Sequence, residues 1–428
     1  MNEKNSFLTQ PFSVLNKISK LFIAGIVAMS GVTVVHADPF AYTPVAGGTI
    51  YIENYLKMDG NANVPNATFS FSIAPGTAQN ASTVSNVGYS QVFAGPTGTN
   101  APAVGQSVFA QGQTTYSDAT AIENTGTQTE TGKTDPVTLS NGEKYARSKF
   151  SVNLTGVTFN EPGVYRYIVT ESSSVTGGNG ITVDTDASRV LDVYVGASGN
   201  DGKTLTVEGY VLHNSTDDAL VPVAYAANNP TTKTNGFINS YTSYDLTLSK
   251  TVSGNQASRD EYFQFTVTFD GGVAGTVYNV VLDNADATTA TTGNNSTQHT
   301  NSNAITLDSN GEATVSYWLQ GGQSIIIRGL AQGTTYSIQE DNTLMDNEGY
   351  TTTGSVTGTG TFTAASRIAT SAPASGTDTG IQANTTVAFT NARQGTIPTG
   401  VINSVLPGAI IIMIGIAGCL IIKRKVSE

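Results

Sequence analysis

The feature that most restricts the fold of this chain is a two-residue alternation of apolar and polar side chains, repeated in many short stretches. Residues 68–73 place Phe69, Phe71 and Ile73 on one side of a strand, and residues 262–269 form a counterpart further along. Helical spacing of apolar residues is confined to the two terminal segments. The pattern predicts an all-β protein made of sandwiches of short strands.

The alternating stretches occur in two sets that follow the same order. Residues 49–58 start the first set and residues 245–254 start the second, and a Phe-x-Asn stretch ends each of them. The sequence therefore predicts two related domains in tandem, over residues 45–240 and 241–394.

Three polar residues fall on the inward face of the second set. Lys250 lies in its first strand, Glu340 in a middle strand and Asn391 in its last strand. A single lysine in a strand is usually solvated, and a lone Glu or Asn near a strand end is usually a turn residue. All three on one buried face would be costly unless they satisfied one another, because an uncompensated buried charge destabilises by several kcal/mol.

Such a cluster favours a specific reaction. Burial disfavours the charged form of both an amine and a carboxyl group, so we expect Lys250 to be a free amine beside a protonated Glu340. The amine would attack the side-chain carbonyl carbon of Asn391, while Glu340 polarises that carbonyl and shuttles protons. Ammonia would leave, and the product would be an amide cross-link between the first and last strands.

The two ends of the chain predict export and anchoring. Residues 1–37 carry Lys17 and Lys20, an apolar stretch and small residues before Asp38, which is typical of a signal peptide. Residues 396–428 contain a Pro-Thr-Gly, an uncharged apolar run and a basic end, so the run could cross a bilayer with its basic end in the cytoplasm. An ordinary C-terminal anchor helix after a turn is the simpler alternative.

Taken together, the motifs resemble those of the streptococcal pilin isopeptide linkage domains, which are immunoglobulin-like Cna B-type sandwiches, in sortase-assembled Gram-positive major (backbone) pilins. The resemblance rests on five stretches that together extend over nearly the whole mature chain, namely residues 63–66, 161–171, 246–254, 336–340 and 389–391. It implies an isopeptide bond between Lys250 and Asn391, with Glu340 as the catalytic proton shuttle.

The first domain departs from the family in one position. The family has a lysine on the first strand of this domain as well, and this chain has Asn54 there. Glu171 and Asn239 thus remain without an amine. Lys57 is near but has the opposite parity, so it should face outward, and we expect no isopeptide bond in this domain by the usual route.

The resemblance also implies how the chain is assembled. Sortase would cut between Thr399 and Gly400 of the sorting motif Ile397-Pro398-Thr399-Gly400, which lacks the residue that the usual signal has between Pro and Thr. The threonine would pass to a lysine of the next subunit, for which Lys233, six residues before Asn239, is the best candidate. Alternatively, Lys233 is a plain loop lysine. The other candidate acceptors are Lys133, Lys144, Lys149 and Lys203.

The resulting protein would be exported, transiently held in the membrane, and then covalently attached to the pilus or cell wall. Its partners would be pilin-class and housekeeping sortases, identical pilin subunits, minor tip and base pilins, and peptidoglycan. A singly wall-anchored adhesin, which binds a ligand through long polar loops at residues 75–136 or 283–304, is the alternative.

Other classes of function have little support in the sequence. The mature chain has no cysteine and only His213 and His299, and it contains no metal-spaced cluster, phosphate loop or nucleophile elbow, so we expect no enzyme turnover, cofactor or metal. The net charge of −12 and the scattered basic residues argue against nucleic-acid binding.

Overall fold

The computed structural model describes residues 43–44, 48–79, 92–117, 136–198, 204–218, 234–343 and 348–395. The predicted signal peptide, the sorting motif and Lys233 lie outside these residues. Within the described ranges, no helix is long and apolar enough to cross a membrane.

The first half of the chain folds into two facing sheets. One contains β1, β13, β12, β10 and β4, with β5 paired to β10, and the other contains β11, β14, β2, β9 and β6, with β8 paired to β9. Their strands, together with the separate pair β3 and β7, are β1 (Thr43–Pro44), β2 (Thr49–Asp59), β3 (Ala67–Phe69), β4 (Phe71–Pro75), β5 (Val92–Ala94), β6 (Ala103–Val104), β7 (Ser107–Phe109), β8 (Thr115–Tyr116), β9 (Glu143–Asn153), β10 (Gly163–Glu171), β11 (Ile181–Thr182), β12 (Ser188–Ser198), β13 (Thr204–Asn214) and β14 (Gly236–Tyr241). Short 3₁₀ turns occur at Gly98–Asn100 and Ser215–Asp217.

The second half repeats the arrangement. Its sheets follow the orders β18-β17-β20-β15-β25-β22 and β19-β16-β21-β24-β23. The strands are β15 (Ser243–Ser253), β16 (Phe263–Asp270), β17 (Val277–Asp283), β18 (Ala304–Thr306), β19 (Ala313–Leu319), β20 (Ser324–Ala331), β21 (Thr335–Glu340), β22 (Thr351–Thr357), β23 (Thr361–Thr363), β24 (Ile368–Thr370) and β25 (Thr385–Ala392). The protein is therefore all-β, with two immunoglobulin-like sandwiches in tandem.

The cores form where the inward faces of the two sheets meet. In the first sandwich, Ile50 and Ile52 of β2 pack in one cluster with Tyr167 and Val169 of β10. In the second, alternate residues of β15 and β16 meet in the same way, and Phe265 packs edge-on against Phe389 with ring centroids 5.0 Å apart. Burial of each such side chain stabilises the fold by about 1.5–3 kcal/mol.

One predicted strand is in fact two. Residues 68–73 alternate without interruption, but the chain breaks its pairing at Ser70, so that Phe69 pairs within β3 and β7 while Phe71 pairs with β10. The carbonyl oxygen of Ser70 accepts a hydrogen bond from the backbone N–H of Ser172, and its hydroxyl accepts one from Gln106. These two hydrogen bonds fix the chain at Ser70, where it passes from the β3–β7 pair to the sheet that contains β10.

For the long polar stretch after residue 75, the sequence predicts long loops and edge hairpins, not a separate domain. Its described part includes β5 to β8, which pair with β10, β3 and β9 at the edges of the sandwich. These strands are two or three residues long, so their alternation is too short to stand out in the sequence.

In each half, the first long strand, β2 or β15, pairs in parallel and in the same register with the last strand, β14 or β25. Asn54 lies opposite Phe237 and Leu56 opposite Asn239 in the first sandwich. Lys250 lies opposite Phe389 and Val252 opposite Asn391 in the second. Asn54 and Lys250 thus occupy equivalent places, on the same face as the terminal asparagine and diagonal to it.

Close contacts join the two sandwiches. Only Thr242 separates β14 from β15, and its backbone N–H donates to Gly180 while its carbonyl accepts from Gln332. The Asn63 side chain donates to the carbonyl of Val277 at 2.6 Å. Gly329 has a φ of +75°, and a Cβ there would lie 2.9 Å from the Cα of Ala62, so the close approach requires glycine.

Candidate cross-linking site

The second sandwich brings Lys250, Glu340 and Asn391 into one buried cluster. Each of these residues is at most 1% exposed. Lys250 Nζ donates to Glu340 Oε1 at 2.5 Å, and Asn391 Nδ2 donates to the same oxygen at 2.8 Å. A single carboxylate oxygen therefore contacts both the amine that would attack and the nitrogen that would leave.

Aromatic rings surround the lysine amine. Its Nζ lies 4.2 Å from the ring centroid of Phe263 and 5.7 Å from that of Phe265. Burial lowers the pKa of Lys250 to about 8, although the neighbouring Glu340 carboxylate acts in the opposite direction. A much larger share of Lys250 is consequently a free amine near neutral pH than for an exposed lysine.

The contacts of Glu340 correct one element of the sequence-based mechanism. We predicted that Glu340 would polarise the Asn391 carbonyl, but Glu340 Oε1 contacts the amide nitrogen of Asn391 instead. The carbonyl oxygen of Asn391 accepts a hydrogen bond of 2.9 Å from the hydroxyl of Thr352. The reason is one of placement, since Thr352 lies directly opposite Asn391 in the β22–β25 pairing.

Sequence reasoning did not find Thr352. The residue is 7% exposed and lies in a run of three threonines at positions 351–353, whose two neighbours are exposed. No single-residue signal distinguishes the three threonines. Thr352 can be identified only from the register of β22 against β25. Strand β22 is hard to predict, because it lies in a section rich in Gly and Thr in which apolar and polar residues alternate weakly.

The first sandwich assembles the corresponding cluster without a lysine. Asn239 Nδ2 donates to Glu171 Oε1 at 2.9 Å and to Asn54 Oδ1 at 2.7 Å, and all three side chains are buried. Burial raises the pKa of Glu171 to about 7. Lys57 faces outward as predicted, with Nζ 3.5 Å from Glu143 Oε1 and a side chain 31% exposed.

Two atoms of this cluster, Asn54 Nδ2 and Glu171 Oε2, have no hydrogen-bond partner among the described residues. An Asn54→Lys variant would place an amine at the position equivalent to Lys250. We expect this variant to lose one ammonia more than the parent protein, as measured by intact mass. The double variant Asn54→Lys, Glu171→Ala is the control and should lose no extra ammonia. A folded Asn54→Lys protein with an unchanged loss would show that the first cluster cannot react.

The alternative acceptor lysines lie in different surroundings. Lys149 is exposed, with Nζ 4.6 Å from the ring centroid of Tyr51, whereas Lys144 is half-buried and burial lowers its pKa. Lys133, Lys203 and Lys233 lie outside the described residues. Within the described ranges, no group of three or more His, Cys, Asp or Glu residues could hold a metal ion.

The fold and these two buried clusters define a tandem protein of Cna B-type sandwiches. Residues 56–242 match the family model of the Spy0128-like isopeptide containing domain (FctA), and residues 244–393 match a domain of unknown function (DUF7601). The first match begins at residue 56, so it does not include Asn54.

The chain is also similar to known proteins over most of its length. It is 26% identical to a curated pilin of Streptococcus pyogenes serotype M1, over 96% of this chain and 99% of that protein. Similar solved structures include the major pilin of Streptococcus pyogenes, at 21% identity and a TM-score of 0.45 over 82% of this chain and 100% of that chain. Another is the T-13 major pilin of the same species, at 19% identity and a TM-score of 0.40 over 81% and 100%. Residues 56–242 therefore form a Spy0128-like isopeptide containing domain, and the chain as a whole is similar to a curated pilin.

Proposed function

We propose that this chain is a shaft subunit of a sortase-polymerised surface pilus, and that an autocatalytic isopeptide bond between Lys250 and Asn391 stiffens its second domain. The observation that carries the proposal is the contact of Lys250 Nζ and Asn391 Nδ2 with one buried oxygen of Glu340. The domains would be those over residues 45–240 and 241–394.

The bond would form in one proton-balanced exchange. The neutral amine of Lys250 attacks Cγ of Asn391, a Cγ–Nζ bond forms, and the Cγ–Nδ2 bond breaks. In this exchange Glu340 starts as a carboxylate, unlike the protonated acid that the sequence led us to expect. Its Oε1 takes a proton from Nζ and delivers it to Nδ2, which is geometrically direct because both nitrogens contact that oxygen. Ammonia leaves, and Glu340 returns to its starting state after a single turnover.

The bond would serve a mechanical purpose. It joins β15 to β25, the first and last strands of the second sandwich, which pair in parallel. Tension that enters the domain at β15 would cross to β25 through a covalent link and leave towards the C-terminus. The hydrogen-bond ladder between the two strands would then carry little of the load, so that pulling could not unzip it.

In the assembled pilus, the carbonyl of Thr399 would be joined to Lys233 of the next subunit, with sortases as the catalysts. The last subunit would be joined to peptidoglycan, and minor pilins would occupy the tip and base. The contacts that join the two sandwiches support a shaft role, because a subunit that transmits load benefits from few hinges.

Wall extracts that are boiled in detergent and probed with an antibody to this chain test the proposal. A shaft subunit should give a ladder of covalent multimers. A singly anchored adhesin should give one band, and that result would reject the shaft role.

The sorting motif can be tested separately. Thr399→Ala removes the residue whose carbonyl sortase would hold, so the chain should remain in the membrane fraction with its C-terminal segment uncleaved. Thr396→Ala, just before the motif, is the matched control and should sort normally. Wall attachment of the Thr399→Ala protein, measured by release with a peptidoglycan hydrolase, would show that residues 397–400 are not the signal.

A further inference from the structure

From the contact on the Asn391 carbonyl, we infer that Thr352 is a catalytic residue of the cross-linking reaction, whose hydroxyl polarises that carbonyl and stabilises the oxyanion formed on attack. The inference rests on the proposed Lys250–Asn391 bond. It assigns to Thr352 the role that the sequence alone assigned to Glu340.

The geometry of the amide supports this role. Asn391 uses Nδ2 to donate to Glu340 and Oδ1 to accept from Thr352, so both ends of its side-chain amide are held. When Lys250 attacks, negative charge develops on Oδ1, where the Thr352 hydroxyl donates from 2.9 Å. A donor at this distance from a developing oxyanion, in a buried site, matches the arrangement that accelerates acyl transfer in enzymes.

Glu340 and Thr352 have different roles because they contact different atoms of the site. Thr352 Oγ1 lies 3.5 Å from Glu340 Oε2, and the other carboxyl oxygen of Glu340 contacts the nitrogens of Lys250 and Asn391. Glu340 thereby transfers protons, and Thr352 stabilises the negative charge that develops on the carbonyl oxygen. Separate residues suit these tasks, because a carboxylate that accepts from both nitrogens has no proton to donate to the carbonyl oxygen, whereas the Thr352 hydroxyl has one.

The first sandwich offers an independent parallel. There the carbonyl oxygen of Asn239 accepts a hydrogen bond of 2.7 Å from the backbone N–H of Asp184. Each cluster therefore provides a donor to the carbonyl of the terminal asparagine, from a side chain in one case and from the backbone in the other. Only the second cluster also has a nucleophile.

The test compares three variants by the rate at which folded chains lose ammonia, followed by intact mass over time. Thr352→Val keeps the shape and removes the donor, so we expect the loss to slow on the order of 100-fold and freshly purified protein to contain uncross-linked chains. Thr352→Ser restores a hydroxyl and should recover most of the rate. Thr353→Val, on the exposed face of the same strand, should react like the parent.

The outcomes separate this inference from the proposed function. A parent protein that loses no ammonia would reject the cross-link itself. A parent that loses one ammonia together with a Thr352→Val protein that reacts at the same rate would reject only the role of Thr352. If Thr352→Ser loses ammonia as slowly as Thr352→Val, that role would also be rejected. The slower reaction would then result from altered packing and not from loss of the hydroxyl.

Discussion

Replacement of Lys233 by arginine should abolish the ladder of covalent multimers while leaving a folded monomer attached to the wall. Arginine keeps the positive charge, but its guanidinium stays protonated and cannot act as an acyl acceptor. The acceptor reaction is all-or-none for polymer growth, so the expected change is complete loss of every band above the monomer in boiled wall extracts.

Lys149→Arg is the matched control, because Lys149 is an exposed lysine in the same half of the chain. It should leave the ladder intact. A full ladder from the Lys233→Arg strain would move the acceptor role to another lysine, with Lys144, Lys149, Lys133 and Lys203 as the next to be tested.

Glu340→Ala should prevent the isopeptide bond and greatly destabilise the second domain. The bond would close a loop of roughly 140 residues, which by analogy with a disulfide stabilises by about 4 to 5 kcal/mol through the unfolded state. The substitution also leaves the Lys250 amine buried without its partner, a loss that costs about 3 to 5 kcal/mol for a buried pair. The midpoint of unfolding of the second half of the chain should therefore move to a much lower temperature or denaturant concentration.

Gln339→Ala is the control for this variant, since Gln339 is the exposed neighbour of Glu340 on the same strand. It should keep both the bond and the stability. In the parent protein the first domain should unfold before the second, and limited proteolysis should cut it first. Equal resistance of both domains, or a Glu340→Ala protein as stable as Gln339→Ala, would contradict the role of the bond.

Alternation alone predicted the fold class and the buried faces. Ile50, Ile52 and Leu56 are all completely buried, because side chains two residues apart share one face of a strand. The same rule brought Lys250, Glu340 and Asn391 together from three strands, although they are far apart in sequence. Parity also separated Lys57, which faces outward, from Asn54, which faces inward.

What the sequence could not supply depends on pairing between strands. The division of residues 68–73 at Ser70 arises because the two pieces pair with different sheets, and a continuous alternation carries no trace of that. The contact of Thr352 with Asn391 likewise depends on which residues of β22 and β25 face each other. The orientation of the Asn391 amide, which decides what each partner can do chemically, follows only once those partners are in place.

The most direct test of the central claim is the intact mass of residues 38–399 produced in a heterologous host. The cluster of Lys250, Glu340 and Asn391 is complete and buried, whereas Asn54 occupies the lysine position of the first domain. The account predicts a mass lower than that of the sequence by one ammonia, and no loss in the Glu340→Ala variant. A parent mass that matches the full sequence, or one lower by two ammonias, would contradict it.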